Sequence, residues 1–223
     1  ASRVVAMSVA TAAVAGAFAG CADGTAPVDP LAAVVAITAT GCRPTATNAV
    51  GTVIGDELVV TVAHAVAGER EITARTADGQ ELPAVVAAID PGLDVAVLRI
   101  DGLAAAALAI RSYVDDDDVS LLGVHDELVD RRPVVVRRRV TIRTTDVYRQ
   151  GEHLRPGLEV EAGVRSGDSG GGLVAADGSL LGLVWAASRE ADDRAWAVTS
   201  AAIVPLVAAA ESGRSPDRAR CSR

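Results

Sequence analysis

The chain has 223 residues, 50% apolar, 22% charged and 2% aromatic, with 29 acidic against 21 basic residues and a net charge of −8. This is the composition of one modest globular domain or two small ones, and it excludes a disordered, collagenous or low-complexity fibre. The acidic balance also excludes a sequence-independent nucleic-acid binder, which needs a basic face to neutralise phosphates. With so few aromatics the core must be built from Val, Leu, Ile and Ala, and every basic residue is Arg.

Val4 to Gly20 is an uncharged run of 17 residues behind Arg3. A membrane-spanning helix needs about 20 residues, more strongly apolar than Ala; a secretory h-region fits better. The run ends in Phe18-Ala19-Gly20-Cys21, which resembles a bacterial lipobox with Phe18 where Leu is usual. Residues 1–21 therefore read as a signal segment with Cys21 as the lipidation site. Cleavage at an Ala-x-Ala site and an uncleaved anchor are the alternatives. With Cys21 lipidated or removed, Cys42 and Cys221 remain as a pair in an oxidising compartment, against the alternative of two unpaired thiols. A bridge between them closes a loop worth about 4–5 kcal/mol in the chain-entropy model, an upper figure.

Residues 22–30 form a linker rich in Pro, Asp and Gly. Beyond it come short β-type runs at Ala33–Thr38, Gly51–Ile54, Leu58–Ala63, Ile72–Thr76, Pro83–Ile89 and Val95–Ile100. After the acidic run Asp115–Asp118 they continue at Val119–Val124, Val134–Arg143, Leu158–Glu161, Gly172–Ala175, Leu180–Ala186 and Ala195–Thr199. Short strands at this density, with Gly-Asp, Asp-Gly and Pro-Gly turns between them, predict an all-β barrel or sandwich. One helix is expected over Ala201–Glu211, capped by Ser200 and stopped by Gly213. The organisation is then 31–114 and 119–211 as two halves, with a polar tail over 212–223. Arg131 to Arg149 reads as an exposed edge or hairpin, and Asp115–Asp118 as a solvated loop without the spaced oxygen ligands of a calcium site.

The informative segment for chemistry is Gly167-Asp168-Ser169-Gly170-Gly171. Gly-x-Ser-x-Gly is compatible with the nucleophile elbow of an α/β-hydrolase, but that fold needs its His after the Ser. His64, His125 and His153 all precede Ser169, so only a His-Asp-Ser order remains. Ala63-His64-Ala65 places a His at the end of an apolar strand, and Leu93-Asp94-Val95-Ala96-Val97-Leu98 places an Asp at the start of another. His125 and His153 sit in charged, loop-like contexts without metal-ligand spacing and read as surface residues; no metal and no cofactor is expected.

In these three segments the chain resembles the chymotrypsin-like (trypsin-fold) serine proteases. It is most similar to the short bacterial HtrA/DegP type and to the mycobacterial acid-resistance periplasmic proteases. The resemblance covers roughly residues 31–207 and implies two antiparallel six-stranded β-barrels with a C-terminal helix. It also implies Ser169 as nucleophile, His64 as general base and Asp94 as the group orienting it, with the Gly167 and Ser169 N–H groups as oxyanion hole. The Cys42–Cys221 bridge has a counterpart in that family. No PDZ domain is expected in the roughly fifty residues after Ser169.

By the same analogy Gly163 lies at the pocket base, where trypsin-type enzymes carry an acid. Trp185, Ala186 and Ala187 form one pocket wall, and Ala195 or Trp196 the other. These positions imply preference for small or medium apolar residues on the acyl side of the cleaved bond. Asp168 matches the residue that pairs with a freed N-terminus in animal zymogens, so here its loop must be set by another group. Gly172 replaces a common Pro and is expected to loosen the local backbone. The implied function is an exported, cell-envelope or periplasmic serine endopeptidase acting on protein or peptide substrates, with membrane contact only through an N-terminal lipid or anchor. The rivals are a catalytically silent envelope binding or chaperone protein and an esterase using the same triad. The sequence does not determine the oligomeric state.

Overall fold

The computed structural model describes residues 28–213 and 220–221. The signal segment, Cys21 and most of the linker lie outside these residues. A 3-10 turn at Pro30–Ala33, capped by the Asp29 carboxylate on the Leu31 N–H (3.1 Å), leads into the first half. That half comprises β1 (Val34–Thr40), β2 (Thr47–Gly55), β3 (Leu58–Val62), α1 (Ala63–Val66), β4 (Glu71–Thr76), β5 (Glu81–Pro83), β6 (Val85–Asp90) and β7 (Val95–Arg99). The second half comprises β8 (Val119–His125), β9 (Leu128–Thr145), β10 (Glu152–Glu161), β11 (Gly172–Ala175), β12 (Leu180–Ala187) and β13 (Arg194–Thr199), followed by α2 (Ser200–Glu211).

The second half is a closed six-stranded barrel in the order β10-β13-β12-β11-β8-β9. The first half departs from the expected six strands: it is a seven-stranded antiparallel sheet in the order β5-β4-β1-β2-β3-β7-β6. The cause is Pro83. Proline lacks the N–H a ladder requires, and the single run expected over Pro83–Ile89 breaks there. Its head pairs with β4 through Thr73 and Pro83, and its tail pairs with β7 through Val86 and Leu98. Ala84 makes the corner, its N–H donating to the Ile72 carbonyl at 2.9 Å. The chain thus carries the sheet from one edge to the other without an edge-to-edge ladder.

β9 and β10 are longer than their apolar runs. Their ladder from Glu152–Thr145 to Glu161–Val135 is faced on the solvent side by charged residues, which hide the strand period from a hydropathy reading. In that ladder Arg138 pairs with Glu159 at 2.8 Å and Arg137 with Glu161, while Arg139 reaches Asp115 of the connection between the halves at 2.6 Å, so the arginine run is locally neutralised. Ser200 does not cap α2: Thr199 is the N-cap, and the Ser200 hydroxyl donates instead to the Arg111 carbonyl at 2.6 Å. Gly213 follows the helix at φ +69°, the left-handed conformation in which glycine is favoured as a helix stop.

The two halves share apolar packing. Leu122, Val174, Leu180, Leu183 and Val198 of the barrel and Ile203 of α2 are fully buried in the same cluster as Val35, Val60 and Val97 of the sheet. Cys42 and Cys221 are bridged, with 5.5 Å between their Cα atoms and a separation of 179 positions in sequence. The bridge pins the end of the chain across Gly68, where an added Cβ would lie 2.4 Å from Cys221 N. No helix of the described residues is long and apolar enough to cross a membrane.

Candidate active site

β3 is a fully buried apolar strand, and its last residue, Val62, is the N-cap of a single helical turn that carries His64. The turn is tied across the sheet: the Ala63 N–H donates to the Asp94 carbonyl at 3.1 Å. Asp94 closes the tight turn Asp90-Pro91-Gly92-Leu93, in which the Asp90 carboxylate accepts from the Leu93 N–H at 2.9 Å. Asp94 has φ +61°. Asp tolerates this left-handed backbone better than most side chains do. The carboxylate accepts from the His64 N–H through Oδ1 and lies against His64 Nδ1 through Oδ2, both at 2.8 Å. Asp94 is 4% exposed, whereas the His64 ring is about one-third exposed. A buried carboxylate bound to both the backbone and the ring of one histidine fixes its tautomer and orientation and leaves Nε2 as the proton acceptor.

Ser169 reaches the same sheet from the barrel. Its carbonyl accepts from the Val50 N–H at 2.8 Å, and the Gly170 N–H donates to the Val184 carbonyl at 2.7 Å. The turn therefore sits between β2 and β12. Gly170 has φ +86°, and an added Cβ would lie 2.1 Å from the Val50 carbonyl oxygen and 2.7 Å from Thr61 Oγ1. Gly172 is equally confined: a Cβ would meet Thr52 Oγ1 at 2.8 Å and Leu180 Cδ1 at 2.9 Å. The expected loosening there gives way to close packing between the halves. Among the described residues, neither the Gly167 nor the Ser169 N–H donates to a protein acceptor. Both remain available to an oxygen outside the fold.

The Asp168 carboxylate is fully buried. Oδ2 accepts from the Arg165 N–H and Oδ1 from Arg132 Nη2, both at 2.6 Å. Arg132 Nη1 also donates to the Gly163 carbonyl at 2.6 Å, so one guanidinium on β9 ties both ends of the Gly163–Asp168 segment. His125 Nε2 lies 3.0 Å from the same Oδ1. The partners required of a buried carboxylate thus come from Arg132 and the Arg165 N–H, with the His125 ring alongside. The reading of His125 and His153 as surface residues is corrected here. His125 has 21% of its side chain exposed, and His153 is half-buried, its Nδ1 standing 2.6 Å from where a Gly92 Cβ would be.

Of the pocket residues, Gly163 is exposed, with nothing within 4 Å of an added Cβ. Ala186 pairs with Trp196 and Ala187 with Ala195 across β12 and β13, with a bulge at Trp185. The Trp185 ring is covered by Arg155, whose Cζ lies 4.1 Å from the ring centroid. Arg155 is 1% exposed, and Nε and Nη2 donate to the Gly92 carbonyl at 3.1 and 2.9 Å. Burial pushes its guanidinium down from the ordinary value, opposed by Asp94 and Asp90. Arg155 and Arg132 carry no motif of their own. The one sign of Arg155 in the sequence is Leu154 beside it, exposed at 63%, a pair in which the apolar and charged residues have exchanged faces. No cluster of three or more His, Cys, Asp or Glu residues suited to a metal occurs among the described residues.

The model of the Trypsin-like peptidase domain matches residues 49–183. Serine protease Rv3671c of Mycobacterium tuberculosis (strain ATCC 25618 / H37Rv) is 30% identical over 162 residues, which are 71% of this chain and 41% of that protein. The chain thus spans less than half the length of this curated relative. Among solved structures, the active form of the Rv3671c protease superposes with a TM-score of 0.80 at 26% identity, covering 87% of each chain. An inactive form of that protease gives 0.70 at 27% identity, covering 80% of this chain and 89% of that one. The HtrA-type protease AlgW, solved with a tripeptide, shares the fold with a TM-score of 0.70 at 22% identity, covering 82% and 62%. Matched by a family model over more than half its length, the chain belongs to the trypsin-like peptidases.

Proposed function

We propose that the chain is an exported serine endopeptidase that cleaves peptide bonds through an acyl-enzyme on Ser169. The observation that carries the reading is the Asp94 carboxylate holding His64 at both N and Nδ1, on the same sheet to which the Ser169 carbonyl is anchored at Val50. In this reading His64 Nε2 takes the Ser169 Oγ proton as the hydroxyl attacks the scissile carbonyl, then returns it to the leaving amine. Asp94 stays ionised and stabilises the imidazolium. The Gly167 and Ser169 N–H groups receive the oxyanion, each such donor being worth about 3–4 kcal/mol of barrier. Arg132 holds Asp168, and through it the loop that presents these donors. The bridged cysteines support export to an oxidising compartment, with residues 1–21 as the signal segment and Cys21 as the candidate lipid site.

At Gly163 there is no acid to receive a basic side chain, so the reading includes preference for small or medium apolar residues on the acyl side. A fluorophosphonate probe is expected to label the wild-type protein and to leave Ser169→Ala unlabelled, and casein should be hydrolysed only by the former. Asp94→Asn should lower kcat by about 10⁴-fold, through the wrong tautomer. Folded protein that takes no label between pH 5 and 9 is instead a binding protein on this fold, and label with ester turnover but no casein turnover makes it an esterase. A peptide-library profile dominated by Arg, Lys or Asp refutes the pocket assignment.

A further inference from the structure

We infer that Arg155, contributed by the second barrel, is a positioning residue for the His64–Asp94 pair of the first sheet, acting as a strut behind the carboxylate. The inference rests on the triad reading above. Arg155 Nη1 lies 3.8 Å from Asp94 Oδ2, the oxygen that faces His64 Nδ1 at 2.8 Å. Its other donors, Nε and Nη2, converge on the Gly92 carbonyl, inside the turn that sets the Asp94 backbone at φ +61°. Trp185 covers the guanidinium plane at 4.1 Å.

The two charged side chains are both buried. The Arg155 side chain is 2% exposed and that of Asp94 6%. A buried cation is retained only where paired and hydrogen-bonded, and here its partners are the turn and the carboxylate that orient His64. The β9–β10 connection approaches the same turn from outside: the Val147 N–H donates to the Pro91 carbonyl at 3.1 Å, and His153 packs on Gly92. The Asp94 turn is therefore built by the first sheet but gripped by the second barrel.

The fork on Gly92 fixes where the carboxylate sits, and only a planar guanidinium can bond one carbonyl through two donors while directing a third toward Asp94. The charged and titratable groups around the pair are Asp94 and Asp90 on the sheet, Arg155 and His153 on β10, and Arg43, whose Nη2 donates to the His64 carbonyl at 3.2 Å.

The test compares wild type, Arg155→Gln and Arg155→Lys by kcat and KM on a peptide substrate and by fluorophosphonate labelling rate, on protein verified as folded. Arg155→Gln should lower kcat at least about ten-fold with KM changed less than about two-fold, and slow labelling in parallel. Arg155→Lys should also lose kcat, because the fork is lost. If Arg155→Gln does not fold, Arg155→Lys decides alone: its kcat remaining at the wild-type value overturns the inference. So does a wild-type kcat, or a loss carried by KM alone, in a folded Arg155→Gln. Wild-type protein that takes no label overturns the triad reading and this inference with it, an outcome distinct from labelled variants with unchanged kcat.

Discussion

Gly170 is the residue at which the two halves come closest around the candidate nucleophile. Its φ of +86° and the 2.1 Å gap between an added Cβ and the Val50 oxygen are independent obstacles to any side chain. Gly170→Ala should therefore cost at least about 3 kcal/mol, in the upper range for single substitutions. It should also abolish probe labelling even at temperatures where the protein remains folded. Chemical denaturation together with a labelling gel checks both. Gly163→Ala, with nothing within 4 Å of the added Cβ, should leave stability within about 0.5 kcal/mol.

Between residues and the whole lies the connection joining the halves. Arg111 forks onto Asp117 with bonds of 2.7 and 2.9 Å, reaches Asp177 at 3.0 Å, and accepts the Ser200 hydroxyl on its carbonyl. The acidic run is therefore not simply a solvated loop, because Asp117 is its structural member. The Arg111 hydrogen bond, with help from the Val114 N–H, holds the Asp117 carboxyl down to about 2. A carboxylate depressed on folding contributes stability that is present above its unfolded pKa near 4 and lost as pH falls toward 2. Asp117→Asn should therefore destabilise by about 1 kcal/mol at pH 7, a figure reduced for solvent screening. That difference should vanish between pH 4 and 2, as urea melts of both proteins across this range would read.

At the scale of the molecule, the Cys42–Cys221 bridge ties the last residues to the strand connection preceding β2, against Gly68 at the end of the turn that carries His64. Replacing both cysteines with Ser should lower stability by about 2–5 kcal/mol, with the change expressed mainly through the unfolded chain. Differential scanning calorimetry of wild type with and without reductant, beside the double variant, checks this. Reduced wild type and the variant should melt together. The apolar cluster shared by sheet, barrel and α2 makes one cooperative transition the expectation in every case.

The sequence alone determined the all-β class, the chain order His64, Asp94, Ser169 and the strands whose apolar runs are local, such as Gly172–Ala175. Strand period and motif spacing are properties of neighbours in the chain. Tertiary structure decided what depends on distant partners. Pro83 splits one expected strand between β4 and β7, a choice fixed by the ladders on either side. Ser200, a good cap by composition, spends its hydroxyl on Arg111 because that carbonyl is brought beside it. Arg132 and Arg155 stand among many arginines in an acidic chain, and only burial against Asp168, Gly92 and Asp94 distinguishes them. A charge becomes functional when the fold removes its water, and that desolvation is not encoded in the residues adjoining it.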